Sequence, residues 1–104
     1  MLLPIGTVCT LKDSAKKLMI TSFMVKKEPN SEKYYDYCGC LYPEGIVNSD
    51  EHFVFDKSDI KTIHHLGYFN QEEEEFKENL YTEKEIEYCE SKRNAKYYKK
   101  RPSY

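Results

Sequence analysis

The sequence predicts an α+β protein: a small five-stranded antiparallel SH3-like barrel or strongly bent sheet, followed by a C-terminal helix. Three observations predict it. Five short apolar or β-branched runs precede residue 70, separated by turn residues at roughly ten-residue spacing. After Gly67 the pattern changes to helix caps and i, i+4 apolar pairs. The chain has 104 residues, the length of one domain with a modest core.

Pro4 to Lys12 alternates through Ile5, Val8, Thr10 and Leu11 and reads as the first strand. Asp13-Ser14-Ala15 supplies a turn. Lys17 to Val25 (KLMITSFMV) is the second strand, and KKEPNS is a polar loop. Glu32 to Tyr42 is a tyrosine-rich third strand, closed by the turn Tyr42-Pro43-Glu44-Gly45. His52 to Phe55 is a short fourth strand, Asp56 to Ile60 a turn or one 3₁₀ turn, and Lys61 to Tyr68 the fifth strand. Asn70 with Glu73 has the form of a capping box. Glu72 to Glu75 suit a helix N-terminus, and Phe76 and Leu80 share one face. The expected division is a β-rich unit over 1–70, an acidic helical segment over 71–95 packing on it, and a basic disordered tail over 96–104.

Net charge is −2, which gives no overall field toward nucleic acid or acidic lipid. The charge is polarised locally. Residues 71–90 carry nine acidic and two basic side chains, and residues 91–104 carry six basic and no acidic ones. The basic, aromatic tail could contact phosphate, but the acidic segment beside it repels phosphate, so no nucleic-acid partner is expected. No apolar run approaches the roughly 20 residues a bilayer needs, so no membrane insertion is expected. MLLPIGTVCTLKD lacks the features of a signal peptide, and the four cysteines read as reduced cytoplasmic thiols.

Cys38-Gly39-Cys40 invites a metal or redox reading. On a strand, however, the two side chains stand roughly 6.5–7 Å apart on one face, too far for an unstrained disulfide. No second pair of ligands completes a zinc site. His64 and His65 are adjacent, so on a strand they face opposite sides. Phosphate loops, dinucleotide fingerprints and nucleophile elbows are absent, so no cofactor and no enzymatic activity are expected. A metal- or thiol-dependent enzyme using Cys38, Cys40 and a histidine is the weakest of three readings.

Ten tyrosines point instead to a contact surface, since tyrosine offers large area at low entropic cost. Strand alternation places Tyr35, Tyr37, Gly39 and Leu41 on one face, and Asp36, Cys38, Cys40 and Tyr42 on the other. Tyr35, Tyr37 and Leu41 could form an aromatic stripe, with Tyr42, Pro43 and Glu44 at its rim. These six are the candidate partner-binding residues. Both faces carry apolar groups, so which one is buried stays open.

The run Leu3-Pro4-Ile5-Gly6-Thr7-Val8, then Lys17-Leu18-Met19-Ile20, then Tyr35-Asp36-Tyr37 through Tyr42-Pro43-Glu44-Gly45, and later Asp59-Ile60 and Gly67-Tyr68, resembles the bacterial proteins grouped as domain of unknown function 4176. The resemblance covers roughly residues 3 to 80. It departs at Thr21-Ser22, where a glycine is expected after KLMI. That family is found mainly in Gram-positive bacteria, near genes for type VII secretion and LXG-type toxins. The resemblance therefore implies a cytoplasmic, non-enzymatic accessory factor, a targeting factor or chaperone that binds a secreted toxin or secretion-locus protein. It supplies no catalytic residues. The alternative is an immunity protein neutralising a co-encoded toxin, suggested by the acidic segment. Oligomeric state is open.

Overall fold

The computed structural model describes residues 2–50 and 52–80. Its centre is one antiparallel sheet of five strands: β1 (Val8–Leu11), β2 (Lys17–Val25), β3 (Tyr35–Leu41), β4 (Phe53–Phe55) and β5 (Ile60–His65). The order across the sheet is β4-β3-β2-β1-β5. β4 and β5 are its two edges, so the sheet is open; of the two forms expected above, barrel or bent sheet, the closed barrel is not formed. One helix, α1, covers 71–80. The helix expected to run on to residue 95 and the tail over 96–104 lie outside the described residues.

β1 begins later than its alternation suggests. Gly6 has φ +91°, a conformation that side chains resist, and Thr7 N–H donates to Pro4 O at 3.2 Å. The chain therefore turns before it pairs. Gly6 N–H donates to Ile20 O, and Ile20 N–H to Thr7 O, both at 2.9 Å, which tie this turn to β2.

β2 and β3 form the longest ladder, interrupted by a bulge between Ile20 and Ser22. The extra residue is Thr21, whose hydroxyl donates to Cys38 O at 3.2 Å. The bulge falls at Thr21-Ser22, where the sequence reading expects a glycine. It changes which residues of β2 face inward: Leu18 and Ile20 are buried before it, and Phe23 after it. Beyond β4, Asp56 N–H donates to Asp59 Oδ2 at 2.9 Å and Lys57 N–H to Asp36 Oδ2 at 2.8 Å. The first bond closes the 3₁₀ turn Lys57–Asp59 and the second ties it to β3.

One face of the sheet supplies Cys9, Leu18, Ile20, Phe23, Tyr37 and Phe55 to the core. Leu2 from the N-terminal segment and Leu80 from α1 complete it. The Tyr37 and Phe55 rings lie 5.6 Å apart, tilted at 41°, a favourable aromatic geometry. The Tyr37 hydroxyl accepts from Leu3 N–H at 2.9 Å, which fastens the N-terminal segment over the sheet.

α1 is capped by Asn70, whose Oδ1 accepts from Glu73 N–H at 3.0 Å. Glu73 does not return the bond as a capping box would. Its carboxylate turns inward, with Oε1 3.0 Å from Lys77 Nζ. Neither Glu73 oxygen has a well-aligned hydrogen bond among the described residues, so the pair is an ion contact. Lys77 is buried and also donates to Leu2 O at 2.6 Å. The helix is therefore bound to the N-terminal segment by a buried cation as well as by Leu80.

Candidate functional site

The stretch Tyr35 to Gly45 divides between core and surface. Tyr37 is completely buried, so it is not part of a partner-binding stripe; it is a core residue. Leu41 packs half-buried against the same core. Tyr35 is half-buried, with Lys33 Nζ 4.6 Å from its ring centroid. The physical reason is the cover: Leu2 and Leu80 close over the face that Tyr37 and Leu41 share. The stripe is the inner side of the sheet.

Tyr42, Pro43 and Glu44 are exposed. Gly45 N–H donates to Leu41 O at 2.8 Å, drawing these three into a tight turn, and Gly45 has φ +79°. The Tyr42–Pro43 peptide is cis. Lys16 Nζ reaches both Glu44 oxygens, at 2.7 and 2.8 Å. The Lys16 hydrogen bond holds the Glu44 carboxyl below its ordinary pKa. Both side chains are well exposed, so the pair positions the turn more than it stabilises the fold.

The surface continues past the turn into residues that the sequence reading passed over. Ile46 is 57% exposed and Val47 73%, and Phe53 at the start of β4 is also exposed. The available signal was two adjacent apolar residues in an otherwise polar loop. Tyr42, Ile46, Val47 and Phe53 are thus exposed apolar side chains between the end of β3 and the start of β4. The β4 edge is only three residues long, and β4 pairs β3 through Tyr37, Cys38 and Gly39 alone.

Metal or thiol chemistry would depend on the cysteines and histidines. Cys9, Cys38 and Cys40 are buried free thiols. Burial pushes the Cys9 and Cys38 thiols above their ordinary pKa. His52, His64 and His65 are exposed, and the Nε2 of His64 lies 3.5 Å from Thr10 Oγ1. Among the described residues no three His, Cys, Asp or Glu side chains are placed to hold a metal ion. Because thiolate is the reactive form, native Cys9 and Cys38 are expected to alkylate with iodoacetamide at least about tenfold more slowly at pH 7.5 than in urea. Peptide mass mapping checks this; equal rates would show that these strands open readily.

No curated protein and no solved structure matches the chain. Residues 2–76 match the family described as Domain of unknown function (DUF4176). The matched region contains all five strands and the first turn of α1, and the chain belongs to that family.

Proposed function

We propose that this chain is a non-enzymatic protein-binding accessory factor in the cytoplasm, a targeting factor or chaperone for type VII-secreted LXG-type toxins. The observation that carries the binding part is the set of exposed apolar side chains Tyr42, Ile46, Val47 and Phe53, between the end of β3 and the start of β4. Exposed apolar side chains that gather into one patch favour a macromolecular partner. The toxin as partner comes from the family resemblance alone.

Affinity capture of the tagged full chain from its native host, with mass spectrometry, tests the reading. One dominant toxin or secretion-locus protein is expected. Val47→Asp with Phe53→Asp is expected to reduce its capture at least about tenfold, since a buried interface does not accept two unpaired charges. Unchanged capture would remove this surface from the proposal. The exposed carboxylates Glu72, Glu74, Glu75 and Glu78 favour a second reading, an immunity protein. Truncating the captured toxin separates the two. A chaperone holds its N-terminal targeting region, an immunity protein its C-terminal effector domain.

A further inference from the structure

Beyond the opposite edge of the sheet, where β5 leads into α1, lies an open concavity of about 530 Å³. It is lined by Phe69, Asn70, Gln71, Glu74, Glu75 and Glu78. We infer that this concavity, with the neighbouring Tyr68, is a docking site for a partner's polypeptide segment that carries both clustered Lys or Arg and apolar side chains.

Its walls are held in place. Gly67 N–H donates to the buried Thr7 Oγ1 at 3.1 Å, and Asn70 caps α1. Phe69 therefore sits between two pinned points. Tyr68 is 79% exposed and Phe69 53%, so two aromatic side chains stand at the surface beside the acidic ridge. The Asn70 side-chain amide meets the Tyr68 hydroxyl at 3.5 Å.

The charge selects the occupant. Glu74, Glu75 and Glu78 form no ion pair among the described residues, and the amide of Gln71 donates to Glu75 at 3.1 Å. Lys77, the cation of this helix segment, is turned away toward Glu73 and Leu2 O. Three carboxylates without an ion pair among the described residues outweigh the roughly half positive charge of the helix N-terminus. The ridge therefore attracts cations and repels nucleic acid and acidic lipid. Beside carboxylates, an aromatic face also attracts Lys or Arg through its quadrupole. The apolar area of Phe69 and Tyr68 adds a requirement that a purely cationic segment does not meet.

This site is separate from the 42–53 segment, so either can fail alone. The test uses the full chain and a fluorescein-labelled 16-residue helical peptide of Leu and Lys, at about 0.15 M salt to screen diffuse attraction. Two control peptides replace Lys by Glu, or Leu by Ser. The Leu/Lys peptide is expected to bind at least tenfold more tightly than either control. The variant Phe69→Ala, Glu75→Gln, Glu78→Gln is expected to weaken it at least tenfold. Glu28→Gln with Glu32→Gln, exposed carboxylates elsewhere, is expected to change it less than twofold. Equal weakening by both variants, or equal binding of the Lys/Ser peptide, would overturn the proposal. A further variant carries glutamine at Lys92, Arg93, Lys96, Lys99, Lys100 and Arg101. Binding to that variant but not to the wild type would overturn partner docking and assign the site to this chain's own basic residues. Binding to neither would also overturn it.

Discussion

Replacing Tyr37 with alanine is expected to lower the unfolding free energy by about 3–5 kcal/mol. Tyr37 is the largest completely buried side chain among the described residues, its ring packs tilted against Phe55, and it occupies the middle of β3 between β2 and β4. Alanine would leave a cavity under both ladders and deprive Leu3 N–H of its acceptor. A domain of this size has roughly 5–15 kcal/mol in total, so the variant is expected to lose much of its resistance to urea. Urea unfolding followed by circular dichroism measures it. A loss below about 1 kcal/mol would mean that β3 does not sit at the centre of the core.

Tyr37→Phe separates packing from hydrogen bonding. The ring stays against Phe55 and only the acceptor for Leu3 N–H is lost, which costs about 1–3 kcal/mol. The same hydroxyl has a pH signature. Burial raises the Tyr37 pKa above its ordinary value of 10.0. Its contribution is therefore complete below pH 10 and is lost as pH rises from there through the folded-state value. Tyr37→Phe is expected to flatten the fall in stability above pH 10, in the same urea experiment repeated in alkaline buffer.

Local chemistry was legible where the chain announces its own boundaries. β2 occupies Lys17–Val25 as its apolar run implies, because polar turns bound it on both sides. The 3₁₀ turn at Lys57–Asp59 lies within the stretch that Asp56 to Ile60 marked out. Two kinds of information were missing from local pattern. β1 and β5 are shorter than their residue patterns imply, since pinning Gly6 to Ile20 and Gly67 to Thr7 bends the chain out of the sheet at each end. Those are contacts between residues far apart in sequence. The same holds for the open sheet, since ten-residue spacing describes strands and not whether the first and last edges meet. It holds for the candidate surface too. Tyr35, Tyr37 and Leu41 alternate correctly, but Leu2 and Leu80 decide that their face is the inner one. The turn residues Tyr42, Pro43 and Glu44 were placed rightly on the surface because a turn after a strand is exposed whichever face is buried.

Gly67→Ala is the other substitution with a large expected effect, and it tests how the two ends of the domain are joined. A methyl group at Gly67 would lie 2.1 Å from Ile5 O and 2.9 Å from both Ile5 C and Thr7 N. All three are backbone atoms, so no rotamer change relieves the overlap. Either the turn at Ile5-Gly6 or the exit from β5 must move by about 1 Å, and overpacking of this kind costs about 1–3 kcal/mol, occasionally more. That movement would also break the bond from Gly67 N–H to Thr7 Oγ1, leaving a buried hydroxyl unpaired at a further cost of about 1–3 kcal/mol. The expected total is about 3 kcal/mol or more. The damage is local in origin, so hydrogen exchange is expected to show faster exchange first at Thr7, Gly67 and the β1–β5 ladder, with β2 and β3 protected for longer. Glycine is needed here for the close approach of two backbones. Gly45→Ala supplies the contrast, because its Cβ would meet nothing within 4 Å and only its positive φ opposes the change. That variant is expected to cost about 1 kcal/mol. If Gly67→Ala proved as mild as Gly45→Ala, the contact between residues 5–7 and 66–68 would be too loose to hold Phe69 in place, and the acidic, aromatic concavity would lose its fixed wall.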